Sequence, residues 1–183
     1  MNWFDSLPLA EVVSRIYVGS AAQAEMLPFA PAALVVGGAR ITAVLNINEE
    51  VERHQAKEIV YKHIPFPDGE AIPALKLAQC FDWLGYTYES TAHNILIHCL
   101  AGISRSVTVA AGFIHYMGLM DFDLALSRIK RIRQSSLDPN VNVISSVKQM
   151  LGIWPYNSSL VIASNKQEEF NELLKRLKAE RNG

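Results

Sequence analysis

Residues 94–118 read NILIHCLAGISRSVTVAAGFIHYMG, and three kinds of local order follow one another there. Ile95, Leu96 and Ile97 form a short continuous apolar run, the pattern of a central strand covered on both faces. The run ends at Cys99. After the loop LAGIS comes RSVTVAAGFIHYM, small and apolar enough for a buried helix, with Gly118 as its stop. A strand, a loop and a helix N-terminus therefore meet at one cysteine. Gly102 can take backbone angles that other residues avoid, so the loop Leu100, Ala101, Gly102, Ile103 and Ser104 can turn its N–H groups inward as an anion nest. The helix starting near Arg105 adds its positive dipole end at the same spot. Phosphate suits such a site. Five residues separate Cys99 from Arg105, enough for the loop to wrap a tetrahedral anion and bring the planar Arg105 fork onto two of its oxygens. The same donors would hold Cys99 as a thiolate.

Working outward, residues 15–18 read as a short strand, followed by a Gly turn and a helix capped by Ser20. ARITAVLNIN (39–48) is β-branched and alternating, a second strand; VERHQAKE (51–58) has a polar, helix-like pattern; IVYKHIPF (59–66) is a third strand, stopped by Pro65 and Pro67. From Ile72 to about Ser90, Leu75, Leu77, Ala78, Phe81, Leu84 and Gly85 recur at helical spacing. Beyond Gly118, Asp121 is placed to cap a helix running to about Arg133. VNVISSVKQMLGIW (141–154) continues as helix after a turn at Asp138 and Pro139. In the tail, Phe170, Leu173, Leu174 and Leu177 put one apolar stripe on a charged helix over 166–181. The expected architecture is α/β, a central and mostly parallel sheet with helices on both faces. One domain over 1–183 is expected, its core at about 15–154 and 155–183 an extension carrying that helix.

The 183 residues are 50% hydrophobic, enough to bury a core without metal or disulfide staples. No window of eighteen apolar residues occurs and the N-terminus lacks a secretory pattern, so an intracellular, cytoplasmic protein without a membrane span is expected. Cys80 and Cys99 are the two cysteines and form no C-x-x-C, so neither a disulfide framework nor a zinc site is suggested. Cys80 reads as a buried inert thiol. A net charge of −1 leaves no footprint for nucleic acid. Arg128, Lys130, Arg131 and Arg133 read as a solvated helix face near a C-terminus, where cations are favoured.

HCLAGISRS (98–106) resembles the H-C-x5-R-S signature of the protein tyrosine phosphatase superfamily, and in particular the loop of its dual-specificity group. The resemblance extends over about 15–154: RIYVGS, ITAVLNI, YKHIPFPD and SLDPNVN each have a counterpart. It implies a cysteine-phosphatase fold with Cys99 as nucleophile and Arg105 as phosphate clamp. Asp68 in IPFPDGE matches the general acid, a role the chemistry demands because an unprotonated leaving oxygen is hard to expel; Glu70 is the fallback. Ser106 would donate to the Cys99 sulfur. His98 would hold the loop through the backbone, Ser104 would shape it, and Asn140 would be a support. No cofactor and no metal are implied.

The expected activity is hydrolysis of phosphotyrosine, and of phosphoserine or phosphothreonine, on phosphoprotein substrates. A phosphoinositide, a nucleic-acid 5′ phosphate or a phosphoglucan is an alternative substrate, although residues 100–104 carry no Lys or Arg to meet further phosphates. A phosphoprotein-binding pseudophosphatase is the non-enzymatic alternative. The stripe from Phe170 to Leu177 is expected to dock on the domain itself, with weak contact to a partner as the other outcome.

Overall fold

The apolar run at 95–97 lies in the middle strand of the sheet. A computed structural model describes residues 8–29, 40–89, 93–153 and 160–183. Its strands are β1 (Ala10–Val13), β2 (Ile16–Ser20), β3 (Ala43–Asn46), β4 (Val60–His63) and β5 (Ile95–Cys99), and its helices are α1 (Ala21–Met26), α2 (Ala74–Glu89), α3 (Arg105–Tyr116), α4 (Phe122–Ile132), α5 (Val141–Met150) and α6 (Leu160–Asn182). The sheet order is β1-β2-β5-β3-β4. β5 lies parallel to β2 and β3, β4 is parallel to β3, and β1 runs antiparallel at one edge. The fold is thus mostly parallel α/β. Residues Ala39, Ser90 and Trp154, where the sequence reading set a strand start, a helix end and a core boundary, lie outside the described residues.

The two faces are unequally covered. Ile95 and Ile97 of β5 and Ile16 and Val18 of β2 enter a large core built with α2, α3, α4, α5 and α6. Leu96 and Tyr17 face the other way into a smaller cluster with Ala24 and Leu27. α3 accordingly buries every residue from Arg105 to Ile114, the condition of a helix apolar all round. α2 buries Leu77, Ala78, Phe81 and Leu84, whereas Leu75 faces solvent. Asp121 caps α4 by accepting from Asp123 N and Leu124 N, and Ser20 caps α1 in a full capping box.

Three expectations are corrected. β1 was not anticipated; its four residues pair with β2. The segment 51–58 contains no helix, because Glu25 of α1 accepts from Arg53 N at 2.5 Å and His54 N at 3.3 Å, and Glu52 turns inward to His98. Arg133 is fully buried, unlike the exposed Arg128 and Arg131.

The tail helix docks on the chain itself. Phe170 and Leu174 join the large core, with Leu173 and Leu177 packed at its margin. Phe170 meets Phe81 edge-on with ring centroids 5.5 Å apart. Full burial of such a side chain stabilises by about 1.5–3 kcal/mol.

Candidate active site

Cys99 ends β5, and the parallel sheet delivers it to the start of α3. Its Sγ lies 3.3 Å from Ser106 Oγ and accepts from Gly102 N at 3.3 Å. Gly102 has φ +69°, and a Cβ there would lie 2.3 Å from the Gly19 carbonyl oxygen. No other residue fits. Ser104, the N-cap of α3, makes no side-chain cap bond; its Oγ instead accepts from Asn140 N at 2.9 Å. The first turn of α3 therefore keeps its amide donors for an anion in the loop. Leu100 is exposed, Gly102 and Ile103 are buried, and Ala101 and Ser104 are half-buried.

Arg105 is buried. Its Nη1 donates to Phe66 O at 3.0 Å and its Nη2 to Asn48 Oδ1 at 3.3 Å. Its Nε makes no hydrogen bond, while lying 3.5 Å from Asp68 Oδ1. Glu49 Oε2 is 3.7 Å from Nη1. Asp68 is exposed on the segment between β4 and α2, its Oδ1 accepting from Gly69 N at 3.0 Å. Glu70 is exposed beside it.

The DPNVN segment joins the two loops. Asn140 caps α5 by accepting from Asn142 N at 2.8 Å, and Asn142 Nδ2 donates to Gly69 O at 2.9 Å. One turn thus touches the loop before α3 through Ser104 and the Asp68 loop through Gly69. Cys99, Arg105, Asp68, Ser106 and Asn140 are brought together; Cys80 is on α2, within the core.

Two partners were missed by sequence reasoning. His98 Nε2 lies 2.6 Å from Glu52 Oε1, both side chains buried, and His98 Nδ1 lies 3.3 Å from Cys99 O. Burial pushes the Glu52 carboxyl up, but the hydrogen bond and charge of His98, with help from Asn46, outweigh it and hold the group below its ordinary value. Arg133 is the second, under the loop with Nη2 donating to Ala101 O at 3.2 Å. Neither carries a local signal: Glu52 sits in an acidic run and Arg133 in a basic one. Beside Leu100 a cleft of about 400 Å³ opens between α1 and residues 46–54, lined by Met26, Phe29, Val51 and Glu25. Among the described residues no cluster of His, Cys, Asp and Glu is gathered to hold a metal, and no helix is long and apolar enough to cross a membrane.

Three comparisons bear on this geometry. "Dual specificity protein phosphatase 1B" of Arabidopsis thaliana is 27% identical over 142 residues, 77% of this chain and 80% of that protein. "Dual specificity protein phosphatase 1" of Mus musculus is 26% identical over 140 residues, 76% of this chain but 36% of that protein. The crystal structure of DUSP15 superposes with a TM-score of 0.68 at 20% identity, over 95% of this chain and 97% of that one, so the fold is shared. The family model described as dual specificity phosphatase, catalytic domain, matches residues 16–151, and by that match the chain belongs to the dual specificity phosphatase family of cysteine-based protein phosphatases.

Proposed function

We propose that the chain hydrolyses phosphotyrosine, and phosphoserine or phosphothreonine, of phosphoprotein substrates through a cysteinyl-phosphate. The observation that carries this reading is the buried Arg105 fork, whose Nε makes no hydrogen bond, set at an uncapped helix start beside Cys99. The thiolate sulfur attacks phosphorus, the bond to the leaving oxygen breaks, and Asp68 gives that oxygen its proton. Water then attacks the phosphorus, Asp68 takes the proton, and the P–S bond breaks. Ser106 Oγ donates to the departing sulfur, a role supported by its 3.3 Å approach to Sγ. Arg105 and the N–H groups of residues 100–104 stabilise the equatorial oxygens throughout.

His98 and Asn140 act as supports, the first beneath Cys99 and the second between the loops. Exposed Glu49 and Asp68, 3.7 and 3.5 Å from the Arg105 guanidinium, favour a single phosphate over polyphosphorylated ligands. One phosphatase unit over 1–183 fits the seating of α6 in the core. A cytoplasmic place of action fits the two unpaired thiols.

The test is hydrolysis of an aryl phosphate and of phosphotyrosine and phosphothreonine peptides, without added metal and in reducing buffer. Asp68→Ala is expected to lower kcat by about 10²- to 10⁴-fold. Tight phosphopeptide binding by the wild type with no turnover would replace hydrolysis with capture.

A further inference from the structure

Arg133, the C-cap residue of α4, has no exposed surface. Its guanidinium is spent on neutral acceptors. Nη1 donates to Pro8 O and Val18 O, each at 3.0 Å, and to Gln23 Oε1 at 3.3 Å; Nη2 donates to Ala101 O at 3.2 Å; Nε makes no hydrogen bond. Among the described residues every ion pair is made by other cations. A buried charge without an opposite charge costs several kcal/mol. Burial brings the Arg133 guanidinium down to about 10, and the charge of Cys99 acts against that fall.

The fork is also in the right place. A Cβ on Gly102 would lie 2.8 Å from Arg133 Nη2, and Gly102 N is the amide that donates to Cys99 Sγ. The other charged groups around Cys99 are already compensated. On the β5 side His98 is paired with Glu52. On α3, Arg105 has Asp68 at 3.5 Å from the segment before α2 and Glu49 at 3.7 Å from the segment after β3. At the end of α4, Arg133 has no acid partner among the described residues.

We propose that Arg133 is a positioning residue for the reaction and the buried counter-cation of the Cys99 thiolate: it fixes the floor of the loop through Ala101 and supplies from below the positive charge that Arg105 supplies from the mouth. The proposal rests on Cys99 being the nucleophile. It assigns to the second arginine a charge role that packing alone would not require.

The experiment follows the rate of Cys99 alkylation by iodoacetamide against pH, the site of labelling located by mass spectrometry, in wild type, Arg133→Met and Arg133→Lys. Arg133→Met is expected to move the midpoint up by about one pH unit, about tenfold less thiolate at a fixed acidic pH. Arg133→Lys, which keeps the charge and loses the fork, is expected to hold the midpoint while kcat falls. A folded Arg133→Met protein with the wild-type midpoint would overturn the proposal and leave the nucleophile standing. A wild-type midpoint at that of an ordinary thiol would overturn the nucleophile reading itself. Should Arg133→Met not fold, the Arg133 Nε–H resonance of the wild type serves instead. It is expected to shift through the alkylation midpoint and to stay flat in Cys99→Ser; a flat response in both proteins counts against the proposal.

Discussion

Cys80 and Cys99 are both almost wholly buried, at 0% and 3% exposure, and both belong to the same apolar core. What surrounds each sulfur is different. Around Cys80 on α2, burial pushes the thiol up to about 12, with Lys76 and Lys62 opposing it weakly, so that sulfur stays protonated and inert. Around Cys99, just before the start of α3, stand the Gly102 amide N–H and the Ser106 hydroxyl, each 3.3 Å from Sγ. Depth of burial is nearly the same; what differs is the hydrogen-bonding company of each sulfur.

The sharpest way to break that contrast is to exchange each cysteine. Cys99→Ser is expected to lower kcat on an aryl phosphate by on the order of 10⁵-fold or more, as removal of a covalent nucleophile does. Cys80→Ala should leave kcat within about threefold and lower the melting temperature instead. Comparable losses of turnover from both would end the contrast.

A smaller effect tests whether the donors depend on the loop's path. Gly102→Ala places a methyl 2.3 Å from Gly19 O at a φ of +69°, so the loop must move. A displacement of this order is expected to lower kcat/KM by about 10²-fold, with Cys80 still unlabelled by iodoacetamide. Steady-state kinetics on the folded variant would check it; unchanged kcat/KM would show that the amide at 102 is dispensable.

The smallest effect concerns the pair beneath Cys99. Glu52 has a folded pKa held below its ordinary value of 4.5. Its stabilisation is therefore fully present above that value and is lost as pH falls through the lower, folded one. Glu52→Gln is expected to cost about 2 kcal/mol at pH 7, about 4–8 °C in melting temperature for a chain of this length. The gap to wild type should close on acidification below pH 4.5. Thermal melts across pH 3–7 would show it; a gap independent of pH would mean that the charge is not what matters.

Much of the candidate site was legible because it is contiguous. The run 95–97, Gly102 and the buried helix after Arg105 each obey a local rule, so strand, loop and helix were placed from their own letters. The same holds for Asp121 and Ser20 as caps. Glu52 was not legible, because a side chain that crosses 46 positions to His98 leaves no local pattern. The helix expected over 51–58 failed for the same reason: a carboxylate on α1 took its amides. Arg133 was misread since a basic helix end is what the dipole alone would produce, and the letters do not say which cation turns inward. β1, four residues long, is held by its edge pairing and not by its own propensity.

α6 separates two meanings of the word domain. The pattern that marks the family stops at residue 151, yet the ring of Phe81 is closed over by Phe170, with Leu174 in the same core. Inheritance is therefore written on a shorter length of chain than foldability is. A chain trimmed to the recognisable pattern would keep Cys99, Arg105 and Asp68 and lose the cover of its own interior.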